Sequence, residues 1–117
     1  MCLVKTGLGG YHGNKGAVVT RFLLEDTPFC FVNCHLAAHQ NQISARNNDI
    51  SQILKDCSFT ALARKGAWER GGDGSLILDH EIVFWSGDLN YRIDLPRKET
   101  LIAIEQQKYA YLWVCFF

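Results

Sequence analysis

The sequence predicts an α/β fold, and three kinds of pattern carry this prediction. Two runs, Ala17 to Leu24 and Phe29 to Asn33, are rich in β-branched and aromatic residues and flank a short polar turn, which is typical of an antiparallel β-hairpin. From Asn41 to Lys55, apolar residues recur near the 3.6-residue period of an amphipathic helix. Ile82 to Trp85 is a continuous apolar run, which predicts a short strand buried on both faces.

Glycine and proline positions predict the remaining elements. The glycines between Gly7 and Gly16 indicate a loop or a tight hairpin where the backbone needs positive φ or close approach. Gly66 and the cluster Gly71 to Gly74 indicate a surface loop. Pro96 is suited to the first turn of a helix that continues to Ile104.

Composition limits the classes of function. The chain has 117 residues, 48% of them apolar, which predicts one packed domain or part of one. Its formal net charge is zero, so no long-range field favours nucleic acid as a partner, and anion recognition must come from local clusters. Five scattered cysteines without a CxxC pair indicate buried thiols in a cytoplasmic protein rather than disulfides or a zinc site.

Three polar segments lie at the ends of the apolar runs and contain the candidate functional residues. His35 can donate to a phosphoryl oxygen or transfer a proton near neutral pH. Asp88 and Asn90 are two residues apart, so in extended backbone they point to the same side, where they could orient a water and a phosphate oxygen. Lys15 and Arg92 can neutralise charge on a phosphoryl group.

The same segments resemble the inositol polyphosphate 5-phosphatases of the endonuclease/exonuclease/phosphatase superfamily. The signature-like run is Phe84-Trp85-Ser86-Gly87-Asp88-Leu89-Asn90-Tyr91-Arg92-Ile93. Two further blocks occur in the order found in that family, and they are Thr6-Gly7 through Asn14-Lys15-Gly16-Ala17-Val18 and Asn33-Cys34-His35-Leu36-Ala37-Ala38-His39.

The resemblance implies part of a two-sheet, DNase I-like α/β sandwich that removes the 5-phosphate from inositol polyphosphates or phosphoinositides. It implies catalytic roles for three residues: contact of His35 with the scissile phosphate, positioning or activation of water by Asp88, and a phosphate contact for Asn90. Substrate-binding or supporting roles would fall to Asn14, Lys15 and Arg92, and membrane contact to Leu8 and Tyr11.

The implied cofactor is Mg²⁺, but no metal ligand is assigned within this chain. The family's magnesium-binding glutamate lies upstream of the matching segments, and its loss would remove most of the electrostatic stabilisation of phosphoryl transfer. Residues 1–108 are interpreted as the central part of a catalytic domain and 109–117 as an atypical apolar tail.

Two other functions stay open beside the cytoplasmic, membrane-surface phosphatase. A nuclease of the same superfamily would share the Gly-Asp-x-Asn and histidine segments, although Trp85 and Tyr91-Arg92-Ile93 argue against it. A non-catalytic fragment that binds phosphoinositide or a protein partner belongs to a different class. Arg46 is interpreted as a structural ion-pair partner of Asp49.

Overall fold

The chain folds as a mixed α/β structure, seen in a computed structural model that describes residues 1–8, 10–61 and 72–116. Gly66 and Gly71 of the predicted surface loop lie outside these residues. The strands are β1 Cys2–Gly7, β2 His12–Leu24, β3 Thr27–His35 and β4 Ile82–Asp88; the α-helices are α1 Ile43–Asp56, α2 Arg97–Glu105 and α3 Tyr109–Val114, and Ile77–Asp79 form a short 3₁₀ turn.

The strands form a four-stranded sheet in the order β1-β2-β3-β4. β1 pairs antiparallel with β2 and β2 with β3, which confirms the predicted hairpin and shows that the glycine-rich opening is also a hairpin. β3 and β4 are parallel, so the chain must cross over between them, and the crossover contains α1. The predicted α/β class is confirmed.

One face of the sheet carries the hydrophobic core beneath α1. Side chains alternate across a strand, and in β3 Cys30, Val32 and Cys34 are buried while the residues between them are more exposed. Ile53 of α1 is completely buried against this face, a burial worth about 1.5–3 kcal/mol. The other core members are Val4, Ala17, Val19, Leu36, Cys57 and Ile77.

The expectation that β4 is buried on both faces is wrong. Ile82 is 37% exposed and Phe84 is 49% exposed, whereas Val83 and Trp85 are half-buried against the core. The reason is position, because β4 lies at the end of the strand order and α1 covers one face of the sheet only. The apolar residues of β4 therefore alternate between the core side of the sheet and the opposite, more exposed side.

The face turned away from α1 carries a ladder of stacked phenylalanine rings, here called the aromatic face. The ring of Phe22 stacks on Phe29 and on Phe31 with centroids 5.5 Å apart in both pairs. Phe31 in turn stacks on Phe84 at 4.8 Å. This apolar surface crosses β2, β3 and β4.

The C-terminal part contains short helices with little burial. α2 follows Pro96, which stands just before the first helical residue rather than inside the first turn, and Glu99 lies in that turn. Residue Phe116, after α3, forms a β-bridge with Ile93. Within the described residues, no helix has the length and apolar character needed to cross a membrane.

Candidate active site

The carboxyl ends of β3 and β4 bring together the first two predicted catalytic residues. His35 and Asp88 are directly paired in the parallel register, so both strands end side by side. His35 Nε2 lies 3.6 Å from Asp88 Oδ2, and both side chains remain more than half exposed. An imidazole and a carboxylate thus share one solvent-facing site, although 53 residues separate them along the chain.

Lys15 joins this pair from β2. The neighbouring residue Gly16 pairs with His35 across β2 and β3, and this places Lys15 Nζ 2.5 Å from His35 Nε2. An ammonium group can only donate, so in this arrangement Nε2 accepts and the imidazole carries its proton on Nδ1. The site therefore contains a cation, an imidazole and a carboxylate in contact.

Asn90 does not follow the extended geometry predicted for it. Its φ is 54°, so the chain turns immediately after β4, and its backbone amide donates to Asp88 Oδ1 at 3.1 Å. Its side-chain Nδ2 donates to the carbonyl of Leu36 at 3.0 Å. Asn90 ties the segment after β4 to the segment after β3, and its predicted phosphate contact stays a prediction.

Arg92 supports this turn, as the resemblance implied. Its Nη2 donates to Asn90 Oδ1 at 3.1 Å. Because Nδ2 donates to Leu36, both the oxygen and the nitrogen of the Asn90 carboxamide are hydrogen-bonded. Arg92 therefore acts on the site through Asn90, since no contact with His35 or Asp88 occurs among the bonds of the described residues.

A groove of about 480 Å³ opens beside these residues, here called the strand-end groove. Among the residues that the structure describes, Asp88 is the one carboxylate of its lining, which also includes Lys15 and His35. Asn14 also lines it, from the start of β2, so the predicted substrate-binding residues Asn14 and Lys15 reach the groove. The space suits an anionic ligand with several oxygen atoms.

Two glycines allow the strands to approach closely at the groove. Gly16 has φ of 147° and Gly87 has φ of 115°, both in the region that favours glycine. A Cβ on Gly16 would collide with the carbonyl oxygen of Val4, and one on Gly87 with the carbonyl oxygen of Cys34. These glycines therefore fix the backbone next to His35 and Asp88.

Arg46 shapes the segment after β3, and its predicted ion pair with Asp49 is wrong. Its completely buried guanidinium donates to the carbonyls of Ala37, His39 and Gln40. Asp49 instead accepts the amide of Ala37 at 2.8 Å. Unpaired carbonyls in a tight loop need donors, and arginine supplies several at once.

The position of Arg46 on α1 is a signal that sequence reasoning missed. Counting from Ile43, Arg46 falls three residues later on the same face as Ile50 and Ile53, so it sits within the apolar stripe. Its guanidinium also lies 5.3 Å from the ring centroid of Tyr91. An arginine on a buried stripe predicts hydrogen bonding inside the protein.

Cys34, beside the groove, is suited to packing and not to nucleophilic attack. Burial raises the pKa of its thiol, and the hydrogen bond from Trp85 opposes this shift only in part. A raised pKa leaves little thiolate at neutral pH. The chemistry of the groove therefore rests on His35, Asp88 and Lys15.

The described residues do not fit a complete metal site. Mg²⁺ prefers carboxylate oxygens, and in the part of the chain that the structure describes Asp88 is the one carboxylate that lines the strand-end groove. Within 1–8, 10–61 and 72–116, no group of three or more His, Cys, Asp or Glu side chains is arranged to hold a metal ion. The described residues alone therefore supply no metal-dependent chemical step.

The predicted membrane-contact residues lie at the tip of the β1–β2 hairpin. Leu8 is 76% exposed and Tyr11 is 91% exposed. The hairpin end that carries them also carries Asn14 and Lys15, so apolar and polar groups are neighbours there. Contact with a membrane stays a prediction.

The sequence model of Endonuclease/Exonuclease/phosphatase family 2 matches residues 2–114. The chain belongs to the endonuclease/exonuclease/phosphatase family. Within it, the chain is 52% identical over 107 residues to a probable inositol polyphosphate 5-phosphatase of Schizosaccharomyces pombe, covering 88% of this chain and 9% of that protein. It is 44% identical over 106 residues to human synaptojanin-1, covering 91% and 6%.

A solved member of the family has the same fold. The inositol polyphosphate 5-phosphatase domain of SPsynaptojanin, crystallised with inositol (1,4)-bisphosphate and a calcium ion, matches with a TM-score of 0.73 and 37% identity, over 97% of this chain and 29% of that one. The predicted resemblance and the DNase I-like fold are thus confirmed. The chain spans less than a third of the solved domain and under a tenth of the curated relatives.

Proposed function

We propose that this chain contributes the catalytic strands of a phosphoric monoester hydrolase that removes the 5-phosphate from inositol polyphosphates or phosphoinositides. The observation that carries the proposal is the 3.6 Å approach of His35 Nε2 to Asp88 Oδ2 at paired strand ends, with Lys15 in contact with the same nitrogen. The identities to 5-phosphatases support the choice of substrate class.

The proposed reaction assigns one task to each group. A water oxygen bonds to phosphorus while the bond from phosphorus to the inositol 5-oxygen breaks; the attacking water gives up one proton, and the leaving oxygen takes up one proton from solvent. Asp88 orients or activates the water through Oδ2, which lies 3.6 Å from His35 Nε2, while Oδ1 accepts the Asn90 amide. Lys15 and the Nδ1–H of His35 contact the phosphoryl oxygens, whose negative charge a cation and an N–H donor stabilise.

Mg²⁺ is the proposed cofactor, and its support comes from the family and not from the groove. The solved 5-phosphatase domain contains calcium, which shows that a divalent cation enters that protein. When bound, Mg²⁺ would neutralise charge on the transferring phosphoryl group. We further propose a cytoplasmic protein acting at the membrane surface through Leu8 and Tyr11.

The test is phosphate release from inositol (1,4,5)-trisphosphate and from a short-chain phosphoinositide, each with Mg²⁺ or with chelator. The proposal predicts magnesium-dependent release of one phosphate and a 1,4-bisphosphate product. Supercoiled plasmid serves as the nuclease substrate. Nicking of the plasmid without release from either inositol compound would contradict the proposal.

A non-catalytic phosphate-binding role is the second candidate. It is favoured because the described residues give the strand-end groove one carboxylate, a poor metal site, while Lys15 and His35 suffice for anion binding. Saturable binding of the trisphosphate by well-folded protein, without any release of phosphate, would support this role over hydrolysis.

A further inference from the structure

Two connections leave the candidate active site, and α1 contacts both of them. The first connection, residues 36–42, runs from the end of β3 to α1, and the second connection, residues 89–96, runs from the end of β4 to α2. His35 and Asp88 are the strand residues that immediately precede them. The relative positions of these two side chains therefore depend on how the connections are held.

The two connections are bonded to each other at Leu36, one residue after His35. The Leu36 amide donates to the carbonyl of Asp88 at 3.0 Å, which continues the β3–β4 pairing by one residue. The Leu36 carbonyl accepts the side-chain amide of Asn90, also at 3.0 Å. Leu36 is completely buried, so water does not reach its two backbone groups. A shift of either connection would therefore be passed to the His35–Asp88 pair.

Arg46 of α1 holds the first connection beyond the last backbone bond between β3 and β4. Its Nη1 donates to the carbonyls of Ala37 at 3.3 Å and His39 at 2.7 Å. His39 has φ of 78°, a conformation that residues with a Cβ rarely adopt and that the surroundings must enforce. The guanidinium of Arg46 therefore fixes a backbone conformation that the connection would not keep by itself.

The same guanidinium contacts the second connection through the ring of Tyr91. Arg46 Cζ lies 5.3 Å from the ring centroid, within the range of a cation–π interaction. This attraction is stronger where water is excluded, and Arg46 is completely buried while the Tyr91 ring packs against the core. The Tyr91 hydroxyl donates to Asn47 Oδ1 at 2.5 Å, in an exposed position. One buried arginine thus contacts both connections.

The location of this contact separates it from the reacting groups. Neither Arg46 nor Tyr91 is among the described residues that line the strand-end groove. Tyr91 directly follows Asn90 in the chain, and Asn90 is bonded to Leu36. An effect of Arg46 or Tyr91 on turnover would therefore have to pass through Asn90 and Leu36.

We propose that Arg46 and Tyr91 are positioning residues of the candidate active site. The contact between them holds the two connections at a fixed spacing, and the bonds at Leu36 transmit this spacing to His35 and Asp88. Reacting groups displaced by about 1 Å lose much of their rate, so loss of the contact slows the chemical step. The inference rests on the proposed hydrolysis, because turnover at that site is the reaction that it affects.

The test measures phosphate release from inositol (1,4,5)-trisphosphate by the full chain and by substitutions of Tyr91. Tyr91→Leu removes the ring and should lower kcat roughly 10- to 100-fold with KM within about twofold of the wild type, because the ring lies outside the groove. Tyr91→Phe keeps the ring and should retain about half of the kcat or more. Tyr109→Leu, the same change at an exposed tyrosine of α3, is the matched control.

A purely structural role for Tyr91 gives a different result. It would lower the free energy of unfolding in urea and leave kcat unchanged once the folded fraction is taken into account. A kcat of folded Tyr91→Leu within about twofold of the wild type would overturn the proposal. Equal losses of kcat in Tyr91→Phe and Tyr91→Leu would also overturn it, because the hydroxyl and not the ring would then position the site.

Arg46→Lys tests the other partner of the contact. Lysine keeps the charge but lacks the planar fork of donors, so kcat should fall at least as far as in Tyr91→Leu. Adding Tyr91→Leu to Arg46→Lys should cause no further loss, because both changes break the same contact. A double variant whose loss equals the product of the two single losses would overturn the proposal. If Arg46→Lys does not fold, the Tyr91 variants decide alone.

Hydrogen exchange of the Leu36 amide separates failure of this proposal from failure of the proposed hydrolysis. Exchange should be faster in Tyr91→Leu than in the wild type, while the amide of Val32, buried in the middle of β3, keeps its rate. If the wild type releases no phosphate, the hydrolysis proposal fails, and faster exchange at Leu36 would still support the positioning of His35 and Asp88. Unchanged exchange at Leu36 would overturn the proposal in either case.

Discussion

The two faces of the sheet differ in how far they are covered and in the side chains that they carry. In β3, Val32 is completely buried beneath α1, while its neighbour Phe31 is 39% exposed on the aromatic face. His35 belongs to the same exposed set as Phe31, and its partner Asp88 ends β4 in the same set as Phe84. The candidate active site therefore lies on the face that α1 leaves accessible.

This difference shows how one alternating pattern serves both stability and chemistry. The side chains directed at α1 form the core, and those directed away end in polar groups at the carboxyl ends of the strands. The same face carries the stacked rings of the aromatic face, which is expected of a surface that another layer covers. The two-sheet sandwich implied by the family would place its second sheet there.

Stability should depend much more on the covered face. Ile53→Ala leaves a cavity at a completely buried position and should lower the free energy of unfolding by about 2–5 kcal/mol. Phe84→Ala removes a ring that is 49% exposed and should cost roughly 1–2 kcal/mol, below the range for a fully buried ring. Urea denaturation measures both. Equal losses would mean that the aromatic face is covered in solution.

Self-association should depend on the aromatic face. Phe31 and Phe84 stack on each other and are both partly exposed, so replacing each with threonine should reduce oligomer formation several-fold in sedimentation velocity. The matched control is Val19→Thr on the covered face, which should increase aggregation because it disrupts the core. Unchanged sedimentation of the double variant would exclude this surface as the contact.

The buried thiols of the core predict that the free energy of unfolding depends on pH. Burial raises the pKa of the Cys30 thiol to about 11 and that of Cys57 to about 12, from an ordinary value near 9. The folded state therefore holds these protons more tightly, so their stabilising effect is complete below pH 9 and is lost as pH rises towards 11 and 12.

Thiol labelling and alkaline unfolding check this prediction together. At pH 8, a thiol reagent should modify partly exposed Cys115 and leave Cys30 and Cys57 unmodified until the protein unfolds. The free energy of unfolding should decline above pH 9, and less steeply in Cys30→Ala. Rapid labelling of Cys30 in native protein would contradict the packing described for the covered face.

The local patterns in the sequence predicted β2, β3, β4, α1 and α2, but not β1, α3 or the long-range pairing of the strands. Turn residues and β-branched runs predicted the β2–β3 hairpin, and the 3.6-residue period predicted α1, because these depend on neighbours in sequence. The parallel contact of β3 with β4 joins residues 53 positions apart, and no local pattern reveals which face each strand exposes. That is why β4 was expected to be buried on both faces.

The candidate site shows the same division. His35, Asp88 and Lys15 were predicted as functional residues from the chemistry of their side chains. The structure brings His35 close to both of the others. The positive φ of Asn90 was not predicted, because it follows from the bond between its side chain and the carbonyl of Leu36 across two loops. The role of Arg46 was missed because its partners are loop carbonyls, which a sequence pattern does not display.

The most direct test of the account compares phosphate release from inositol (1,4,5)-trisphosphate by the wild type and by Asp88→Asn. The substituted amide oxygen can still accept the Asn90 amide, so the turn after β4 should persist while the carboxylate is lost. Asp94→Asn, an exposed carboxylate outside the strand-end groove, is the matched control. The account predicts a loss of roughly 100-fold or more in turnover for Asp88→Asn alone, at unchanged unfolding free energy. Turnover within twofold of the wild type would contradict it.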